Sequence, residues 1–178
     1  EELGEFYVPL IPIGEEREKK SVEVKALYVT GHTAGNDLNK ENIDAYGEYV
    51  KALAENNTQK ARELFDKAEK ANKFERIVGI ALATEINGLV INVKDDNGFI
   101  TYKSNIEIVK EMNKETPIPI KDIDNMLKIL KEYDLYIIGR IVAFKDKNFA
   151  VKSPEHAIQL KSGGIWLDLG KTHLLLDP

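Results

Sequence analysis

The sequence contains no cysteine. Disulfides and thiolate metal sites are therefore excluded, and the redox compartment stays open. Histidine is scarce. His32, His156 and His173 stand far apart, with no second imidazole at metal-ligand spacing, so neither a metal nor a cofactor is expected. The loop Thr30-Gly31-His32-Thr33-Ala34-Gly35 has glycines, but it lacks both the Gly-Lys-Ser/Thr of a P-loop and the G-x-G-x-x-G of a dinucleotide site. No apolar run approaches the ~20 residues needed to span a bilayer. There is no basic stripe either. Acids and lysines are interspersed and the formal net charge is −5, which argues against a nucleic-acid partner. No methionine opens the chain, which begins Glu1-Glu2-Leu3-Gly4. That start predicts a processed form from which any export signal has been removed.

What is present is a chain of 178 residues, 43% hydrophobic, enough for one domain with a sizeable core. Residues 1–20 read as an extended arm or linker. Pro9 and Pro12 interrupt its apolar stretch and forbid a central strand, and Glu15 to Lys20 is a solvated run of mixed charge. Val24–Thr30 reads as a strand, followed by a Gly/Asn-rich loop over 31–39. Helical periodicity then sets Ile43, Tyr46, Tyr49, Val50 and Leu53 on one face. After a break at Asn56-Asn57-Thr58 it does the same for Ala61, Leu64, Phe65 and Ala68, and again for Phe74 to Glu85. Leu89–Lys94 is a second strand, ended by Asp95 to Gly98 and followed by a short extended piece, Phe99–Lys103. Ile120–Tyr133 is an amphipathic helix with Asp122 in its first turn, and Leu135–Phe144 is a third strand. A short helix is expected near Ser153-Pro154-Glu155, with serine capping and proline in first position. The tail holds two short apolar runs, from which a weak fourth strand is expected.

Alternating strands and helices predict an α/β fold with a parallel sheet. The strands are near-continuous apolar runs, which predicts cover on both faces. Function gathers at the carboxyl ends of strands in such sheets. All three strong strands end in chemistry: Thr30 to His32, Asn92 to Asp96, and Arg140 to Asp146. Asn92 and Arg140 are polar residues inside apolar strands, and each would be costly against a helix. Strand parity then puts Asn92, Lys94 and Asp96 on one interior or cleft with Arg140, Phe144 and Asp146, and with Tyr28, Thr30 and His32. The alternate residues Ile91, Val93, Ile141 and Ala143 are expected to face helices.

The same stretches carry a resemblance. INVKDDNGFITYKS, then IIGRIVAFKD, then GIWLDLGKTHLLLDP, resemble DUF4015, a family described as a putative glycosyl hydrolase domain. The resemblance runs from about Val24 to Pro178, with residues 39–72 read as an added helical pair. It departs from the family at Leu174-Leu175-Leu176-Asp177-Pro178, where the family tends to have an aromatic residue before its Asp/Asn-Pro. It implies a TIM-type (β/α) barrel and a glycan or polysaccharide ligand. It also implies a bacterial protein that is extracellular or envelope-associated. A whole barrel needs ~250 residues, so residues 21–178 are expected to form the N-terminal portion of the domain, about half a barrel and inactive alone. Open edge strands and an uncovered interior would then lead to homo-oligomers, or mark a missing C-terminal half.

On this reading Asp95, Asp96 and Asp146 are the candidate catalytic carboxylates, and glycoside hydrolysis uses two such groups. Lys94 and Arg140 would favour their ionised forms. Tyr28, His32, Asn92, Lys94, Arg140, Phe144, Lys145 and Trp166 are the candidate substrate contacts. Plainer readings stand beside these. Asp95-Asp96-Asn97-Gly98 also suits a turn, and Lys145-Asp146 an ordinary strand end. Arg140 also suits an ion pair with Asp95 or Asp96, His32 an exposed loop, and Trp166 a core position. The alternative function is a non-catalytic glycan-binding or protein-interaction α/β module.

Overall fold

The computed structural model describes residues 23–168, 170 and 174–177. The arm over residues 1–20 and His173 lie outside the described residues. Three strands and seven α-helices follow one another: β1 (Ala26–Val29), α1 (Gly31–Ala34), α2 (Lys40–Ala54), α3 (Thr58–Ala68), α4 (Lys73–Ala83), β2 (Gly88–Lys94), α5 (Glu107–Met112), α6 (Ile123–Glu132), β3 (Tyr136–Ile141) and α7 (Lys147–Lys152). The fold is α/β, as predicted. The strands pair in chain order, β1-β2-β3, and both pairings are parallel.

One face of the sheet is buried. Val29, Leu89 and Ile91 project from it into a core shared with Ile43 of α2, with Phe74 and Val78 of α4, and with Met126 and Leu130 of α6. Helices α2 and α4 meet where neither has a side chain. A Cβ on Gly79 would lie 3.0 Å from the Gly47 nitrogen, so glycine at both positions lets the backbones touch. The expectation of cover on both faces does not hold. On the second face Val90 and Ile138 are only half-buried, and Tyr28 and Tyr136 are 51% and 52% exposed. The apolar runs are read correctly as strands, but a run alone does not say whether its second face is covered.

The helix starts follow local chemistry. Asn39, Asn57 and Asn72 cap α2, α3 and α4 with their side-chain oxygens, each accepting from a backbone N–H of the first turn. Glu75 closes a capping box on Asn72, donated to by the Asn72 N–H at 2.7 Å, and it also accepts from the Asn39 N–H at 2.8 Å. It therefore joins the starts of α2 and α4, buried at 2% exposure.

Four expectations need correction. The 31–39 segment is not all loop, since Thr30 caps the single turn of α1. The sixth helix begins at Ile123, with Asp122 as its cap and Ile120 bridged to Tyr102. The short helix lies before Ser153, capped by Asp146, while Pro154–His156 is a single 3-10 turn without a side-chain cap. The tail forms no fourth strand among the described residues. Leu175 and Leu176 make isolated antiparallel bridges to Lys145 and Ala157, and Leu174 packs in a small second cluster with Ala150 and Ala157.

Glu75→Ala is expected to destabilise the fold by about 1–3 kcal/mol, because it leaves part-buried donors at the starts of α2 and α4 unpaired. Glu75→Gln should lose less, since one side-chain oxygen remains. Urea unfolding of the two variants checks both.

A second prediction concerns alkaline pH. The Tyr133 hydroxyl donates to Asp44 Oδ1 at 2.8 Å. Burial, then Asp44, pushes its pKa well above the usual 10. The protonated phenol is thus favoured by the fold. Its contribution is whole below pH ~10 and declines as pH rises towards the folded value. Stability should fall more steeply above pH ~10 in the wild-type chain than in Tyr133→Phe, as measured by denaturant titrations across that range.

Candidate functional site

The polar ends of β2 and β3 lie side by side. Asn92 and Arg140 are register partners, and an Arg140 Nη1–H donates to Asn92 Oδ1 at 3.0 Å. The guanidinium sits 5.9 Å from the centre of the Tyr28 ring, and its Nη2 lies 3.6 Å from Asp96 Oδ1. Tyr28, Asn92, Arg140 and Asp96 therefore form one group on the open face, four of the residues that side-chain parity sets together. The backbone of β2 is held at this point too, because the Thr101 hydroxyl donates to the Asn92 carbonyl at 2.8 Å.

A second, more buried pair lies beyond a register shift between Asn92 and Lys94. Lys94 Nζ is 2.8 Å from Asp146 Oδ2 and donates to the Val142 carbonyl at 2.8 Å. Asp146, 4% exposed, also accepts from the Phe149 N–H and so caps α7. Gly98, with φ of +95°, packs directly on that carboxylate and leaves no room for a Cβ.

The three candidate carboxylates are thus in different situations. Asp95 accepts from the Asn97 and Phe99 N–H groups at 2.9 Å each, which is the turn chemistry of its sequence. Asp146 serves α7 and Lys94. Asp96 alone of the three is exposed. Among the candidate contacts, His32 is exposed on α1, Phe144 is exposed after the end of β3, and Lys145 is half-buried and bridged to Leu175. Trp166 is half-buried, with its backbone N–H donating to the Ile158 carbonyl. These four share no hydrogen bond or ion pair with the Arg140 group.

Parity fails past the shift. Ile91 and Val93 do face the helical core, but Ile141 is 65% exposed and Ala143 is exposed as well. β3 ends at Ile141, so alternation does not extend to the residues that follow it. Sequence reasoning set Lys94 among the carboxylates without singling out Asp146 as its partner, and it missed the part played by Gly98 and Thr101. Gly98 had a signal, as the glycine that closes the Asp-Asp-Asn turn; Thr101 had none.

No curated protein matches the chain. A family model does: residues 64–177 match DUF4015, described as "Putative glycosyl hydrolase domain". The chain belongs to the DUF4015 family. The match begins within α3 and takes in every strand-end residue discussed above except those of β1 and α1. Among solved structures, the crystal structure of a hypothetical protein from Ruminiclostridium thermocellum ATCC 27405 is similar. It has 29% sequence identity and a TM-score of 0.55, over 85% of this chain and 60% of that one. This DUF4015 chain therefore spans less than two thirds of that protein.

Asp146→Ala is expected to cost about 2–4 kcal/mol, because it leaves a largely buried lysine without its counter-charge and uncaps α7. Gly98→Ala should cost about 1–3 kcal/mol through its backbone angle, and more where the new methyl displaces Asp146. Adding Lys94→Met to Asp146→Ala should recover part of the loss. Unfolding free energies of these three variants and of Lys94→Met alone measure this, and additive losses would mean that the pair is not coupled.

Proposed function

We propose that this chain forms part of a glycoside hydrolase domain, with a glycan bound at the carboxyl ends of its strands. The observation that carries the reading is the group of Tyr28, Asn92, Asp96 and Arg140 gathered there on an open sheet face. Family membership supports the same class. We further propose that the sheet is a segment of a TIM-type (β/α) barrel, about half of one, carrying α2 and α3 as an added helical pair. Parallel strands in chain order, with helices on one face only, support that reading, since a doubly wound sheet has helices on both faces and reverses its strand order. The second face and the two sheet edges, open among the described residues, support association, with a second copy or with further barrel strands. An exported or envelope-associated location rests on the family resemblance alone.

The roles follow from the chemistry. The Tyr28 ring offers an apolar face to a pyranose, and Asn92 and Arg140 offer amide and guanidinium hydrogen bonds to its hydroxyls. Asp96, exposed beside Arg140, is assigned the substrate-facing carboxylate role in proton transfer. Asp95 and Asp146 are positioning residues, holding the turn and the helix start on either side of it.

A second reading has a specific observation in its favour. Two of the three carboxylates are committed to backbone N–H groups, which suits a non-catalytic glycan-binding module. Reducing-end release from a panel of polysaccharides, measured on the complete domain of which this chain is proposed to be a part and with binding measured in parallel, separates the two. A hydrolase releases reducing ends, and Asp96→Asn lowers the rate by about 100-fold or more without loss of fold. Binding that survives in Asp96→Asn, with no reducing ends from either protein, selects the binding module. Neither binding nor release overturns the glycan reading.

A further inference from the structure

The chain holds two Asn-Gly dipeptides, Asn87-Gly88 at the start of β2 and Asn97-Gly98 in the turn after it. In such a pair a side-chain amide stands beside a peptide nitrogen that no following side chain shields. The backbones of the two are held alike. Each asparagine is exposed and each glycine is buried. The Gly88 N–H donates to the Lys25 carbonyl and the Gly98 N–H to the Asp95 carbonyl, both at 3.2 Å. The Asn87 carbonyl accepts from the Tyr136 N–H at 2.8 Å, and the Asn97 carbonyl from the Asn148 N–H at 3.0 Å.

The side chains are not held alike. Asn87 Oδ1 accepts from the Lys25 N–H at 2.8 Å, and its Nδ2 donates to the Glu23 carbonyl at 2.9 Å. Both ends of that amide are tied to the backbone leading into β1. The Asn97 amide makes no hydrogen bond to any described residue. Its turn is held through the backbone instead, by the Asn97 and Phe99 N–H groups on Asp95 Oδ1. For an asparagine to react with the next peptide nitrogen, its side-chain amide must swing onto that nitrogen. Asn97 does so by rotating its own side chain, whereas Asn87 must first break two hydrogen bonds.

We propose that Asn97 is a site of self-modification, converted to aspartate and isoaspartate in the folded protein, and that Asn87 is protected. The Gly98 nitrogen gives its proton to solvent and attacks Asn97 Cγ. The new C–N bond closes a five-membered imide, and Nδ2 leaves as ammonia with a proton returned from solvent. Water then adds to either imide carbonyl and breaks its bond to the Gly98 nitrogen. Opening at Cγ leaves aspartate. Opening at the main-chain carbonyl leaves isoaspartate, whose backbone is one carbon longer. The net change is one water taken up and one ammonia lost. Each product adds a negative charge beside Asp95 and Asp96. Isoaspartate also displaces Gly98, which packs directly on the Asp146 carboxylate, so the modification reaches the buried Lys94–Asp146 pair.

The test is a time course of the folded chain at mildly alkaline pH, read by peptide mapping. Cleavage after Arg76, Lys94 and Lys103 puts the two dipeptides in different tryptic peptides. Tandem mass spectrometry then locates the gain of about 1 Da at each asparagine, and an isoaspartyl methyltransferase reports the isoaspartate. Asn97 is expected to react at least about tenfold faster than Asn87, a factor set by the two side-chain hydrogen bonds. In strong denaturant the two rates should converge, because only the fold separates them. Aged protein is expected to unfold at lower urea concentration than fresh protein, and Asn97→Ser aged in the same way to keep its midpoint. Equal rates in the folded chain, or a faster Asn87, overturn the proposal. So does an Asn97 that stays unmodified in the folded chain under conditions that convert it in denaturant. A fully modified chain with an unchanged urea midpoint overturns the effect on the Lys94–Asp146 pair.

Discussion

Leu89 and Ile91 are the side chains by which the central strand enters the helical layer, and their burial is the constraint on which the rest of the arrangement depends. Alternation along β2 means that once these two face the core, Val90 and Asn92 must face away from it. The helices can close over Leu89 and Ile91 only because α2 and α4 come together at Gly47 and Gly79. Glu75 then fixes the start of α4 against the start of α2 with hydrogen bonds, where apolar contact could not satisfy the exposed N–H groups. The open face is thus a consequence of how the covered face is built, and polar side chains stand there with one another or water as partners.

The polar groups on that face address one another's desolvation. Asn92 is buried, and Arg140 supplies its side-chain oxygen with a donor while Thr101 supplies its carbonyl. Arg140 keeps its remaining surface against Tyr28 and near Asp96, where solvent screens the charge pair and makes it worth little as stability. Lys94 and Asp146 are different. They are largely withdrawn from water and further bonded to the Val142 carbonyl and the Phe149 N–H, so breaking one side is costly even if the pair adds little net stability. Breaking one side of the buried pair is therefore costly, whereas breaking the exposed one is not.

How much of this was legible in the sequence varies with the range of the interaction. Three strands and the helices α2, α3, α4 and α6 show as apolar periodicity, because each buries a continuous stripe. Asn92 and Arg140 show as neighbours because mid-strand polar residues have few inexpensive places to go. Helix α5 leaves no such trace: none of its residues is fully buried, so no apolar period betrays it. The assignment of Asp146 depends on a lysine 52 positions earlier and on a helix start that also reads as a strand-end turn. The shift that ends alternation at Lys94, and the exposure of Ile141, are tertiary outcomes to which local pattern is blind. The tail's apolar runs gave the weak strand its appeal, yet Leu174 is accounted for by packing on Ala150 and Ala157 without a ladder.

The segment that follows the Asp-Asp-Asn-Gly turn joins the strand ends to the segment between α5 and α6. Ile100 bridges back to Lys94, and the Thr101 N–H donates to the Val93 carbonyl while its hydroxyl donates to the Asn92 carbonyl. On its other side the Ile100 carbonyl accepts from Asn113, and the Thr101 carbonyl accepts from the Ile120 N–H at the approach to α6. Two residues thus make hydrogen bonds to the strand-end group and to the segment between α5 and α6. The Ile100 carbonyl that accepts from Asn113 is one residue from the hydroxyl that donates to the Asn92 carbonyl. The turn that first marks this stretch as unusual therefore does more than end a strand: it returns the chain antiparallel to β2, so that one short extended piece braces both regions.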